Sequence, residues 1–182
     1  MRTKLDLYNN CWYEPGSFCK RAAWYIVNCA FFKASFPFPQ SIKILLLKLF
    51  GARIAGYSGF IKPNVNIKYP WFLEIGNHVW IGEGAWIDNL APIRIGNNVC
   101  ISQGAYLLTG NHNYKKETFD LITGPIIIEE GVWIGAKAII CPGVTLKNHS
   151  VITAGSVMTT DAQPFIIYQG NPASPLRKRE MA

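Results

Sequence analysis

Among the groups in this chain that can move a proton near neutral pH, His112 stands in the most unusual setting. It lies in Thr109–Pro125, TGNHNYKKETFDLITGP, a polar excursion inside an otherwise regular repeat. A neutral imidazole, with an ordinary pKa of about 6.5, can accept the proton of an attacking hydroxyl. The other two histidines, His78 and His149, each follow an asparagine at a turn of the repeat, which suits an ordinary corner. A metal centre of three imidazoles would need all three to converge, and their placement argues against that. The five cysteines (Cys11, Cys19, Cys29, Cys100, Cys141) contain no CxxC pair and read as reduced thiols. Cys100 and Cys141 fall inside the repeat, where a small apolar packing role is expected. No His–Cys pair is signposted, so a cysteine acyl-enzyme is not required.

What must position His112 is a ladder of six-residue units. A large aliphatic residue is followed, four residues later, by a small or β-branched one. The pairs are Ile61/Val65, Ile75/Val79, Ile81/Ala85, Ile95/Val99, Ile101/Ala105, Ile128/Val132, Ile134/Ala138, Ile140/Val144, Leu146/Ser150 and Ile152/Ser156. A period of six matches neither an amphipathic helix nor a simple strand. It fits short strands joined by tight turns, the large residue filling the axis of a coil and the small one its corner. The fold class is therefore all-β: a parallel β-helix of hexapeptide repeats over 51–164, with an N-terminal helical extension over 1–50, a protruding loop at 109–125 and a C-terminal tail over 165–182. Ile95 and Ile128 stand 33 residues apart, far more than three hexads hold, and the excess is the excursion. Smaller slips near Pro92 and across Tyr69-Pro70-Trp71 predict bulges at corners. Insertions in repeat folds map to loops, and such loops often carry the binding face.

The net charge of +7 is unevenly spread. Residues 1–50 hold seven Lys/Arg against two acids, whereas residues 51–175 balance at eight against eight. A neutral body with basic ends and no recognition motif argues against nucleic acid as a partner. The polar N-terminus MRTKLDLYNN lacks a secretory pattern, so the expected location is cytoplasmic. Residues 20–35 have helical composition, with an apolar run too short to span a bilayer. Residues 40–50, QSIKILLLKLF, predict a helix with Ile42, Leu45, Leu46 and Leu49 on one face and Lys43 on another. Two roles fit these helices: capping the open end of the stack, or holding the protein at the inner face of a membrane through residues 20–50.

The hexads of Ile95–Met158, the TGNHNY stretch and the ending AGSVMTTD…GNPASPLRKR resemble the hexapeptide-repeat O-acetyltransferases over about residues 48–180. Within them the likeness is to the colanic acid and exopolysaccharide branch and to galactoside and maltose acetyltransferases. The resemblance implies a left-handed β-helix assembled as a homotrimer, with active sites between subunits and the excursion reaching over a neighbour. It also implies direct transfer of acetyl from acetyl-CoA to a hydroxyl of a saccharide, with no metal, in surface polysaccharide biosynthesis on a lipid- or nucleotide-linked intermediate. His112 matches the family's catalytic histidine. Asp88 and Asn89 fall where relatives bind the acceptor. Trp133 matches a tryptophan near the pantetheine, and Ala136 a position often held by serine, whose backbone N–H could help stabilise an oxyanion. Ala154, Thr159 and Thr160 match main-chain contacts to the cofactor, and Arg177 a basic residue facing its nucleotide end. A second arginine of that tail is Ser174 here, with Lys178 and Arg179 as candidate substitutes. N-acetylation of an amino sugar uses the same general base and stays open. Two other readings of the fold are a metalloenzyme of the γ-carbonic-anhydrase type and a binding protein without catalysis.

Overall fold

In this computed structural model, residues 2–56 and 59–181 are described. The hexads form very short strands, three to a coil. The first coil is β1 (Arg53–Ile54), β2 (Gly59–Ile61) and β3 (Asn66–Ile67). The second is β4 (Leu73–Ile75), β5 (Val79–Ile81) and β6 (Trp86–Asp88), and the third β7 (Ile93–Ile95), β8 (Cys100–Ile101) and β9 (Tyr106–Leu108). The chain then leaves the coil as a hairpin, β10 (Gly110–His112) and β11 (Leu121–Thr123). It resumes with β12 (Ile126–Ile128), β13 (Trp133–Ile134) and β14 (Ile139–Ile140), then β15 (Thr145–Leu146), β16 (Val151–Ile152) and β17 (Val157–Met158). A last strand, β18 (Ile166–Gly170), adds to the stack, and β19 (Ala173–Lys178) folds back against it antiparallel.

Parallel pairing stacks the coils into a three-faced prism. The first sheet runs β1-β4-β7-β12-β15, the second β2-β5-β8-β13-β16-β18-β19, and the third β3-β6-β9-β14-β17. Register places like over like, which closes the axis with aliphatic columns. Ile61, Ile81, Ile101, Ile134 and Ile152 form one column, and Ile67, Ile87, Leu107, Ile140 and Met158 another. All ten are buried, each contributing about 1.5–3 kcal/mol as apolar surface leaves water. The alanine members of the hexads line the corner between the second and third sheets, where Ala85, Ala105 and Ala138 are fully buried. Coils approach so closely that a Cβ on Gly135 would stand 2.6 Å from the backbone nitrogen of Ala154.

Corner residues carry the sharp turns. Asn64, His78, Asn98, Lys137 and His149 all have left-handed backbone, with φ between 56° and 59°. His78 and His149 are therefore corner residues of different coils, and the His149 ring stacks on Phe165. The two predicted slips meet each other in space. Residues Pro70–Phe72 form a short 3-10 turn, and the fully buried Asn89 pins its start, accepting from Tyr69 N at 2.9 Å and donating to Tyr69 O at 2.5 Å.

Two helices, α1 (Phe18–Val27) and α2 (Gln40–Leu49), close the open end of the prism at the first coil. An exposed edge coil has unpaired carbonyls, and the helices supply donors for them. Trp24 Nε1 donates to Ile67 O, Gln40 Nε2 to Ile61 O, and Lys43 Nζ to both Ile61 O and Lys62 O. The wide turn after α1 presents Asn28, which donates to Asn66 and accepts from Ile67 N. As the periodicity predicts, Ile42, Leu45 and Leu49 share one face of α2 and Lys43 lies on another, while Leu46 is partly buried against the core. Lys43, Ile44 and Leu47 face inward and Ile42, Leu45 and Leu49 outward, because the coil edge needs a donor and not another aliphatic face. Among the described residues, no helix is long and apolar enough to cross a membrane.

Candidate active site

His112 sits at the end of β10, where the hairpin leaves the corner between the third and first sheets. That corner is tightly knotted. The buried Thr109 donates its hydroxyl to Asp88 O at 2.8 Å and accepts from Ala91 N at 3.0 Å. The knot joins the excursion to the two-residue slip of the coil above. Gly110 follows because any Cβ there would run into the Leu90 side chain.

The imidazole itself is held on three sides. Its ring stacks flat on Phe119, centroids 4.5 Å apart at 6°, and Tyr8 tilts against it at 5.8 Å. Nδ1 lies 2.9 Å from the carbonyl oxygen of Phe119. A carbonyl can only accept, so Nδ1 carries the hydrogen and Nε2 of the neutral ring holds a free lone pair. This is the tautomer a general base needs. The hairpin bearing Phe119 is not a loose arm. The N-terminal segment is laced to it: Lys4 N donates to Glu117 O, Lys4 Nζ pairs with Glu117 at 3.1 Å, and the hydroxyl of Tyr13 donates to Leu90 O nearby. Asp120, in the returning strand's approach, is held below the usual carboxylate range by the Thr118 hydroxyl, then by Lys116 and the Asn9 backbone.

The two sequence-predicted acceptor residues part company. Asp88 is nearly buried on the same corner, paired with Lys68 at 3.0 Å and accepting from the Tyr106 hydroxyl at 3.2 Å. Burial, followed by the Asp88 charge, pushes the Tyr106 phenol up to about 12. Asn89, by contrast, is 0% exposed with both ends of its amide bonded to Tyr69. It has no surface to offer an acceptor; it is a corner pin. Beside Asp88, Trp86 and Tyr106 stack at 4.8 Å and 17°, leaving Trp86 open to solvent.

The residues matched to the cofactor divide between two regions. Trp133 lies exposed on the second sheet, its indole donating to Ser102 Oγ, and walls a groove of about 540 Å³ with Phe60, Trp80 and Cys100. Burial raises the Cys100 thiol above its ordinary range, as expected of a packing cysteine. Ala136 and Ala154 occupy neighbouring coils at the corner between the second and third sheets. Thr159 and Thr160 are exposed just beyond β17, on the corner His112 shares. Arg177 is exposed on β19. Arg179 is already engaged, donating to Gly131 O and His149 O, whereas Lys178 is exposed beside Arg177 on β19. Trp133, Ala136 and Ala154 thus stand a full sheet's width from His112 within one chain. Among the described residues no group of three His, Cys, Asp or Glu could hold a metal ion. Tyr8, Phe119, Thr109 and Tyr106 were not singled out from the sequence. Only Thr109 had a local signal, as the polar residue at the root of the excursion.

Residues 125–160 match the bacterial transferase hexapeptide model (six repeats), and residues 73–109 the hexapeptide repeat of succinyl-transferase. WcaF of Escherichia coli K12, whose name assigns it to colanic acid biosynthesis as an acetyltransferase, is 34% identical over 170 residues, covering 92% of this chain and 91% of its own. The galactoside O-acetyltransferase of the same organism is 32% identical over 126 residues, covering 68% of this chain and 62% of its own. A Vibrio cholerae hexapeptide-repeat acetyltransferase, solved with acetyl-CoA, superposes with a TM-score of 0.78 at 27% identity, over 90% of this chain and 88% of that one. The chain belongs to the hexapeptide-repeat acetyltransferases.

Proposed function

We propose that this protein transfers the acetyl group of acetyl-CoA directly to a hydroxyl of a saccharide, with His112 as general base. The observation that carries the reading is the Nδ1 contact to the Phe119 carbonyl, which leaves the lone pair of the neutral ring on Nε2. Nε2 takes the proton as the hydroxyl oxygen attacks the thioester carbonyl. The carbon–sulfur bond then breaks, and the CoA thiolate leaves with the proton returned by the imidazolium. Direct attack needs no enzyme nucleophile.

A sugar is the favoured acceptor because the corner offers the two features that recognise one. Asp88 is a buried acceptor of hydrogen bonds, and the stacked Trp86–Tyr106 pair is a flat apolar platform for a pyranose face. The name of the relative WcaF supports a saccharide of a surface polysaccharide. On the donor side, Trp133, Ala136, Ala154, Thr159, Thr160 and Arg177 take the cofactor, with Lys178 helping at its phosphates. Since Trp133 and Ala136 lie a sheet away from His112, one site needs two chains, which supports a homotrimer with sites between neighbours. Thiol release from acetyl-CoA, measured across a panel of mono- and oligosaccharides, tests the reaction; no acceptor-dependent release from any of them would refute it. Mixing His112→Ala with Ala154→Glu chains tests the shared site. Activity returns if each chain supplies one half, and stays absent if each site is built within one chain.

A further inference from the structure

The outer surface of the N-terminal cap is neither polar nor covered. α2 leaves Ile42, Leu45 and Leu49 at 38%, 58% and 71% exposure, spaced i, i+3, i+7 along one side of the helix. On α1, Phe18, Tyr25 and Ile26 stand 75%, 66% and 67% exposed. A cap that met only water would carry charge here. The charges that do occur are all of one sign. From residue 15 to residue 73 the sequence has eight Lys/Arg and no Asp or Glu, whereas residues 74–182 hold eight against nine. Lys20, Lys33 and Lys48 are exposed, and Lys48 lies on α2 next to Leu49.

These two properties together select an occupant. A second copy docking through the same surface would bring cations against cations with no acid in the stretch to answer them. A bilayer bearing anionic headgroups answers both features, taking the aliphatic stripe into its interface and pairing its phosphates with the lysines. We propose that the outer face of the cap, centred on Ile42, Leu45, Leu49 and Lys48, docks this protein peripherally on an anionic membrane surface. The helices lie in the interface plane, since neither is long enough to cross it. The inference does not depend on the reaction proposed above.

Sedimentation of the full chain with phosphatidylcholine vesicles, with and without phosphatidylglycerol, tests the proposal. The wild type sediments with the anionic vesicles, not with the neutral ones, and added salt releases it. The triple variant Ile42→Ser/Leu45→Ser/Leu49→Ser loses about tenfold or more in vesicle affinity, and Lys48→Glu weakens it further. Its thermal melt and acetyl-CoA turnover with a soluble acceptor stay unchanged, because the stripe lies outside the site. Should the triple variant melt early, Leu49→Glu, at the most exposed position, carries the same test. Equal sedimentation of wild type and variants overturns the proposal. So does failure of the wild type to bind either vesicle while the triple variant alters the oligomer's mass by light scattering, which would give the stripe to a second copy.

Discussion

Replacing Thr109 by valine probes the knot from which the hairpin bearing His112 springs. The substitution conserves shape and removes one hydroxyl. Asp88 O keeps two backbone donors, Leu90 N and Thr109 N, so it tolerates the loss. Ala91 N does not: its partner in the buried corner is the Thr109 oxygen. Leaving one buried N–H unpaired costs about 1–3 kcal/mol. For a chain of this length that lowers the melting temperature by roughly 2–4 °C per kcal/mol. The same change loosens the strand that aims His112, so kcat falls more than KM for acetyl-CoA rises. Thr109→Ser, which restores the hydroxyl, recovers most of both losses. The checks are differential scanning calorimetry and steady-state kinetics on the three proteins. A Thr109→Val protein that melts with the wild type and turns over at its rate would refute the account of the corner.

Asn89→Ala strands the backbone N–H of Tyr69, whose carbonyl keeps Phe72 N as a donor, and destabilises by about 1–3 kcal/mol, while KM for the acceptor changes little, as chemical denaturation and kinetics would show. If Asn89 instead binds sugar, the KM rises and the stability holds. Gly135→Ala forces a methyl group against the next coil and lowers stability by about 1–3 kcal/mol, read from the denaturation midpoint. Tyr106 gives a pH dependence. Its folded phenol, held up at about 12, stays protonated, whereas the unfolded phenol ionises near an ordinary value of about 10. The unfolded chain therefore loses this proton first, so the contribution is whole below pH ~10 and is lost as pH rises toward ~12. Tyr106→Phe flattens that alkaline decline, and near-ultraviolet tyrosinate titration loses one late-ionising phenol.

The prism was legible because each hexad repeats one steric rule, and a rule obeyed ten times leaves little choice of register. Ile81 stacks on Ile101, and the small Ala85 and Ala105 fit the corner that follows each of them. The excursion was legible for the same reason, as the place where the rule stops. The rolled orientation of α2 was not. Periodicity reports which residues share a face, not which face meets a coil edge in need of donors, and Lys43 goes inward for its hydrogen bonds. Asn89 misled because a polar residue at a bend looks the same whether it faces substrate or pins the neighbouring coil. Tyr8 lies too far along the chain from His112 for any local pattern to join them, and only the fold brings the N-terminal strap over the hairpin. Arg179 reads like a phosphate ligand until its guanidinium is found on two backbone carbonyls.

The most direct test of the central claim is the turnover of His112→Ala with acetyl-CoA and an accepted saccharide. Loss of a positioned base predicts a fall in kcat of about 10²–10⁴-fold, with KM for acetyl-CoA and the melting temperature near those of the wild type. Near-normal transfer by His112→Ala would contradict the assignment of the base and, with it, the role given to the hairpin.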